Sequence, residues 1–112
     1  MLQFDEYKVK LNNLLPQLDD LEQALNLDEA ARQVQCAADG FWDNPENSQK
    51  VLQKLKQEKN KLESQAKRRS SWDDMMVLCE MGNEEEDESL LPELEEEYAT
   101  LIQSMESARL QT

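Results

Sequence analysis

Phe4, Tyr7, Leu11, Leu14, Leu18, Leu21 and Leu25 recur in steps of three and four through three heptads, which is the seam of a helix packing lengthwise against other helices. A strand cannot use such a pattern, because its faces alternate at every second residue. The remainder of the chain agrees with a helical fold. Two glycines and three prolines punctuate 112 residues, and the apolar residues are mostly Leu, Met and Ala, so a β protein is excluded. A chain of this length is expected to form one domain. Pro16 lies inside the first seam, where it removes a backbone donor and crowds the preceding turn. A kink or break is therefore expected near Leu15, with both halves keeping one face.

Asp28 is placed to cap a short second helix that runs to about Ala38, where Asp39-Gly40 supplies a stop. The next six residues, Phe41-Trp42-Asp43-Asn44-Pro45-Glu46, make a helix start. Asn44 accepts from orphan amides, Pro45 suits the first helical position and Glu46 complements the dipole. Phe41 and Trp42 are expected to pin this turn onto the bundle. The helix then runs from Pro45 to about Met81, roughly 55 Å at 1.5 Å per residue. Its expected packed residues are Leu52, Leu55, Leu62, Ala66, Trp72, Met75, Met76 and Cys79. Gly82-Asn83 should end it, residues 84–88 should form a charged loop, and Ser89 should cap a last helix with the seam Leu91, Leu94, Tyr98, Leu101, Met105 and Ala108. Helices are thus expected over about 3–26, 28–38, 45–81 and 89–111.

The short connection returns the last two helices antiparallel. It sets Cys79 near Leu91, Met75 near Leu94, Trp72 near Tyr98, Ala66 near Met105 and Leu62 near Ala108. Lys59 and Arg69 fall at seam-like positions, so their stems must snorkel or the packing must loosen there. The expected architecture is all-α: an elongated helical bundle with a long antiparallel helical hairpin.

The chain carries 25 Asp and Glu against 12 Lys and Arg, a formal charge of −13, and no histidine. Imidazole acid–base catalysis, imidazole-dependent triads and histidine metal ligation are excluded. The two glycines are too far apart to cradle a phosphate, and the acidic run 84–88 lacks the ligand spacing of a calcium loop. We therefore expect no catalytic residue, no cofactor, no metal and no enzyme activity. The excess of acids argues against DNA or an anionic membrane as partner. The absence of an 18-residue apolar run and of a secretory leader pattern points to the cytoplasm. In that compartment Cys36 and Cys79 are expected to be small buried hydrophobes.

Charge is unevenly spread. Residues 50–69 hold Lys50, Lys54, Lys56, Lys59, Lys61, Lys67, Arg68 and Arg69. In the hairpin register this segment faces residues 101–112, whose single acid is Glu106. Lys50, Lys54, Lys61, Arg68 and Arg69 are the candidate partner-binding residues, toward an RNA backbone or an acidic protein surface. The competing reading is a solvated face offset by acids of the first helix.

The segment from Asp39 to Lys56, with its Phe41-Trp42-Asp43 turn leading into Ser48-Gln49-Lys50-Val51-Leu52, resembles the N-terminal domain of the bacterial peptide chain release factor 2 family. Leu78-Cys79-Glu80, Asp87-Glu88-Ser89-Leu90-Leu91 and Ala108-Arg109-Leu110-Gln111-Thr112 fit the same family in the same order. The Phe-Trp-Asp turn separates it from release factor 1. The resemblance implies the first domain of a factor that, when whole, reads UAA and UGA and triggers peptidyl-tRNA hydrolysis on the ribosome. The family's Ser-Pro-Phe and Gly-Gly-Gln elements do not occur in these residues, so this piece is expected to be a regulatory binding module. By the resemblance it faces the large-subunit stalk base and the class II release-factor GTPase. The family usually carries a longer second helix than the residues between Asp28 and Phe41 allow. The alternative is a free-standing acidic helical adaptor that binds a helical partner through its coiled-coil seam. Self-association of the isolated seam is open under either reading.

Overall fold

The computed structural model describes residues 1–37 and 45–111, with side chains described for residues 1–35 and 49–111. Over these residues the protein is all-α. Helix α1 spans Leu2–Ala24, α2 Leu27–Ala37, α3 Pro45–Glu85 and α4 Leu91–Arg109, and a 3-10 turn at Glu88–Leu90 leads into α4. The expected turn residues Phe41, Trp42, Asp43 and Asn44 lie outside the described residues, as does the side chain of Cys36, while Pro45 is the first residue of α3.

The 41 residues of α3 form the spine of the molecule, which measures 60 × 21 × 17 Å. Its radius of gyration is 18.3 Å, against about 13 Å for a compact chain of this length. Helix α1 runs antiparallel to α3: the Trp72 indole N–H donates to the Leu11 carbonyl at 2.5 Å, and the Gln65 amide donates to the Leu18 carbonyl at 3.0 Å. Helix α4 is also antiparallel to α3. Ser71 donates to Glu97 at 3.1 Å and Arg68 Nη1 donates to Ser104 Oγ at 3.3 Å, which sets Trp72 level with Tyr98. Helices α1 and α4 are therefore parallel neighbours, and Tyr7 meets Tyr98 edge to face with ring centroids 5.5 Å apart.

Phe4, Leu11, Leu14, Leu18, Leu21 and Leu25 of the first seam are all buried, joined by Met75 and Cys79 of α3 and by Leu94, Leu101, Met105 and Ala108 of α4. Helix α1 does not break at Pro16. The proline deprives the Asn12 carbonyl of its helical donor, and Asn12 is exposed, where solvent is free to satisfy that carbonyl. Past Leu25 the chain turns through Asn26, whose φ of 56° is in the left-handed region that Asn tolerates. Helix α2 then continues alongside α3, burying Ala30.

Three expectations for α3 are corrected. Ala66 and Leu52 are exposed; the inward positions between Leu62 and Trp72 belong to Gln65 and Arg68, which satisfy polar groups of α1 and α4. Gly82-Asn83 does not stop the helix, which continues to Glu85. The stop is at Glu86, whose φ is 51°, with the Asp87 N–H bonded to the Gly82 carbonyl at 3.1 Å, a Schellman ending. Gly82 instead receives the Phe4 ring, and Asn83 accepts from the Met1 amino group at 2.5 Å while donating to Asp5 at 2.9 Å. The two residues that resemble a helix end are the seat of the first turn of α1. The cap after it is Asp87, not Ser89. Its carboxylate accepts from the Ser89 N–H, and that bonding holds its pKa below the usual value.

Candidate interaction surface

Helix geometry sorts the basic segment into two groups. Lys50, Lys54, Lys61 and Arg68 follow one another at spacings of four and seven, so they form a single stripe along α3. Arg69 lies a third of a turn away and faces α1. It bonds Glu22 through Nε at 2.5 Å and Asp19 through Nη2. These hydrogen bonds raise the pKa of Arg69 and, against the opposing effect of burial, lower that of Glu22. Arg69 thus clamps α1 to α3.

Along the stripe, exposure falls from one end to the other. Lys50 and Lys54 are exposed, Lys61 is half-buried beside Glu58 at 3.5 Å, and Arg68 is 5% exposed. The reason is the length of α4. It reaches back along α3 only as far as its last turn, so the upper stripe is covered and the lower stripe is open. Lys56, Lys59 and Lys67 are exposed on other faces of α3. The seam-like position of Lys59 is therefore resolved by solvent and that of Arg69 by α1.

Periodicity counts only apolar residues, and it missed Lys10. Its ammonium stands 4.8 Å from the Tyr7 ring centroid and 5.8 Å from that of Tyr98, a cation–π contact where α1 meets α4. Glu29 is held well below the usual carboxylate range by hydrogen bonds from Arg32, then Gln33; the i, i+3 spacing of Glu29 and Arg32 could have signalled that pair. Cys79 is buried, and burial pushes its thiol pKa up, away from the reactive thiolate. Among the described residues no group of three or more Cys, Asp or Glu is arranged to hold a metal ion, and no helix is long and apolar enough to cross a membrane. What the surface offers is an all-α rod with a basic stripe opening toward one end of α3.

No protein-family profile matches the chain, and no solved structure matches it. Curated relatives do. The chain is 30% identical over 92% of its length to peptide chain release factor 2 of Streptomyces avermitilis, 31% over 91% to that of Acidothermus cellulolyticus, and 28% over 96% to that of Salinispora tropica. The chain is related to peptide chain release factor 2. It spans 29% to 30% of the length of these release factor 2 relatives. Residues 39–56, one of the stretches that carry the release factor 2 resemblance, include the exposed Lys50 and Lys54 of α3.

Proposed function

We propose that this chain is the N-terminal domain of a release factor of type 2, a cytoplasmic binding module that serves translation termination on the ribosome and does no chemistry of its own. The observation that carries this reading is the similarity to three relatives named peptide chain release factor 2 over nine-tenths or more of the chain. The exposed lower stripe, Lys50 and Lys54, supports a role in engagement, because it presents exposed cations on a chain of charge −13 beyond the reach of α4. In this reading the stripe approaches the large-subunit stalk base or the class II release-factor GTPase. Decoding of UAA and UGA and peptidyl-tRNA hydrolysis belong to the rest of such a factor.

Two measurements test the proposal. The factor encoded by the whole reading frame should release peptide from ribosomes programmed with UGA or UAA, while the 112-residue chain alone should release none. Lys50→Glu with Lys54→Glu in the whole factor should weaken ribosome or GTPase binding and flatten its salt dependence by about two charges' worth of counterion release. A frame that stops after residue 112, or a whole factor inactive on both codons, overturns the termination reading. Unchanged binding by the double variant overturns only the role given to the stripe.

A further inference from the structure

Beyond the last turn of α4, a cleft of about 780 Å³ opens between the end of α1, α3 and α4. Its lining is mostly hydrogen-bonding: Asn60, Lys61, Ser64, Arg68, Ser104 and Ser107 all face it. Arg68 is its unusual member. The residue is 5% exposed, yet its guanidinium is held by two neutral groups, Nε donating to Gln65 Oε1 at 2.9 Å and Nη1 to Ser104 Oγ at 3.3 Å. No carboxylate among the described residues forms an ion pair with it; the acids that pair with cations do so with Arg32, Lys61 and Arg69. Nη2 carries no hydrogen bond. Because no side-chain nitrogen or oxygen sealed from solvent among the described residues lacks a partner, Nη2 reaches solvent, and the cleft is the opening that Arg68 lines. Glu58 already balances Lys61, so Arg68 is the uncompensated charge. Burial lowers its pKa with no neighbouring acid opposing, but a guanidinium stays protonated all the same. A buried charge of this kind is costly until an anion completes it.

We propose that the cleft is the docking site for a short acidic segment of a partner protein, one carboxylate of which pairs with Arg68 while neighbouring acids follow the stripe over Lys54 and Lys50. The stripe from Arg68 to Lys50 covers eighteen positions, about 27 Å of helix, and α4 leaves its lower part uncovered. Three features favour a polypeptide over a nucleic acid. Among the described residues no aromatic side chain lines the cleft, so they offer bases nothing to stack on. A chain of charge −13 repels a continuous polyphosphate far more than a few carboxylates. The serine hydroxyls and the Asn60 amide match the alternating donors and acceptors of a peptide backbone. The inference shares Lys50 and Lys54 with the surface given to the termination partner and in that respect rests on the proposed function, but its core is the cleft at Arg68, which the titration reads apart from any termination activity.

The test uses the 112-residue chain labelled with nitrogen-15. It is titrated at low salt with an acetylated peptide of alternating Glu and Ser long enough to span the stripe, with the same peptide carrying Gln for Glu, with inorganic phosphate and with oligouridylate. The Glu peptide should shift the Arg68 Nε–H and the backbone amides of Ser64, Ser104 and Ser107 saturably, and the Gln peptide should bind at least about tenfold more weakly, the worth of one charge-assisted hydrogen bond. Ser107→Glu, at an exposed position, sets a carboxylate at the mouth and should abolish the response while core resonances stay in place. Arg68→Gln, checked for folding by circular dichroism, should lose it as well. Absence of a saturable shift at these groups overturns the proposal. So does phosphate matching the peptide, which would mean an adventitious ion only, or oligouridylate binding more tightly, which would mean a nucleic-acid site.

Discussion

Gly82 lies under the Phe4 ring so closely that a β-carbon at position 82 would stand 2.3 Å from Phe4 Cζ and 2.5 Å from Cε1. Phe4 is fully buried, so the ring has no free space into which to retreat. Gly82→Ala would therefore set two effects against each other. Helix propensity favours alanine by about 1 kcal/mol, and overpacking costs about 1–3 kcal/mol. We expect a net loss of about 1 kcal/mol in urea unfolding with an unchanged slope. Phe4→Leu in the same chain should recover part of that loss, because the two residues share one space. Strictly additive losses in the double-mutant cycle would show that the ring does not respond to position 82.

Gln65 and Arg68 form a buried polar layer in which the amide group of Gln65 donates to α1 and accepts from Arg68. Gln65→Met keeps the volume and strands both partners, one of them charged. We expect a loss of about 2–3 kcal/mol. Adding Arg68→Met should restore much of it, since removing a buried charge together with its acceptor is often neutral or stabilising. Denaturant melts of the two single variants and the double variant decide the point. No rescue by the second substitution would mean that Arg68 contributes more to packing than the burial of its charge costs.

This layer is also where sequence reasoning failed, and the reason is physical. In α1 and α4 the buried faces are made of Leu, Met, Phe and Ala, so apolar spacing reports Leu11, Leu18, Leu94 and Leu101 directly. In the middle of α3 the inward face is Gln65 and Arg68, whose hydrogen bonds to Leu18 and Ser104 have no apolar signature. Apolar spacing settles instead on Ala66, which is exposed. Continuing the phase of Met75 and Trp72 backward in steps of three and four would have reached 68, 65 and 61, and forward from Cys79 it reaches Gly82. The basic stripe was legible as a set of residues. Its graded burial was not, because it depends on where α4 ends relative to α3. Arg69 shows the same limit, since its partners Asp19 and Glu22 are fifty and forty-seven residues away.

The same geometry divides the rod into two parts of unequal stability. Above position 62, α3 is packed by both α1 and α4 and buries Gln65, Arg68, Met75 and Cys79; below it, no described residue of α3 is fully buried, and Ala30 is the fully buried residue on the described part of α2. Elements with little buried surface open at lower free energy. Amides of residues 49–61 should exchange with deuterium at least about tenfold faster than those of residues 68–82. Equal protection along the whole of α3 would mean that the helix opens only by global unfolding.

The clamp of Arg69 on Glu22 makes a pH prediction whose sign follows from the shifts. Glu22 has a lowered pKa in the folded chain, so its contribution to stability is fully present above its ordinary value of 4.5 and is lost as the pH falls through the folded value. Arg69 is shifted upward from an already high value, so its own titration leaves the acid and neutral range flat. Both side chains are about one-third exposed, and solvent screening limits the pair to about 1 kcal/mol or less. Acidification also relieves repulsion in a chain of charge −13, an opposite trend that would mask the effect in a single melt. The difference between the parent chain and Arg69→Gln removes that common trend. The parent should be the more stable at neutral pH, and its advantage should shrink as the pH falls below 4.5 and through the lowered folded value of Glu22. An advantage that holds through that range would mean that Arg69 stabilises α1 through its stem and its contacts, not through the charge of Glu22.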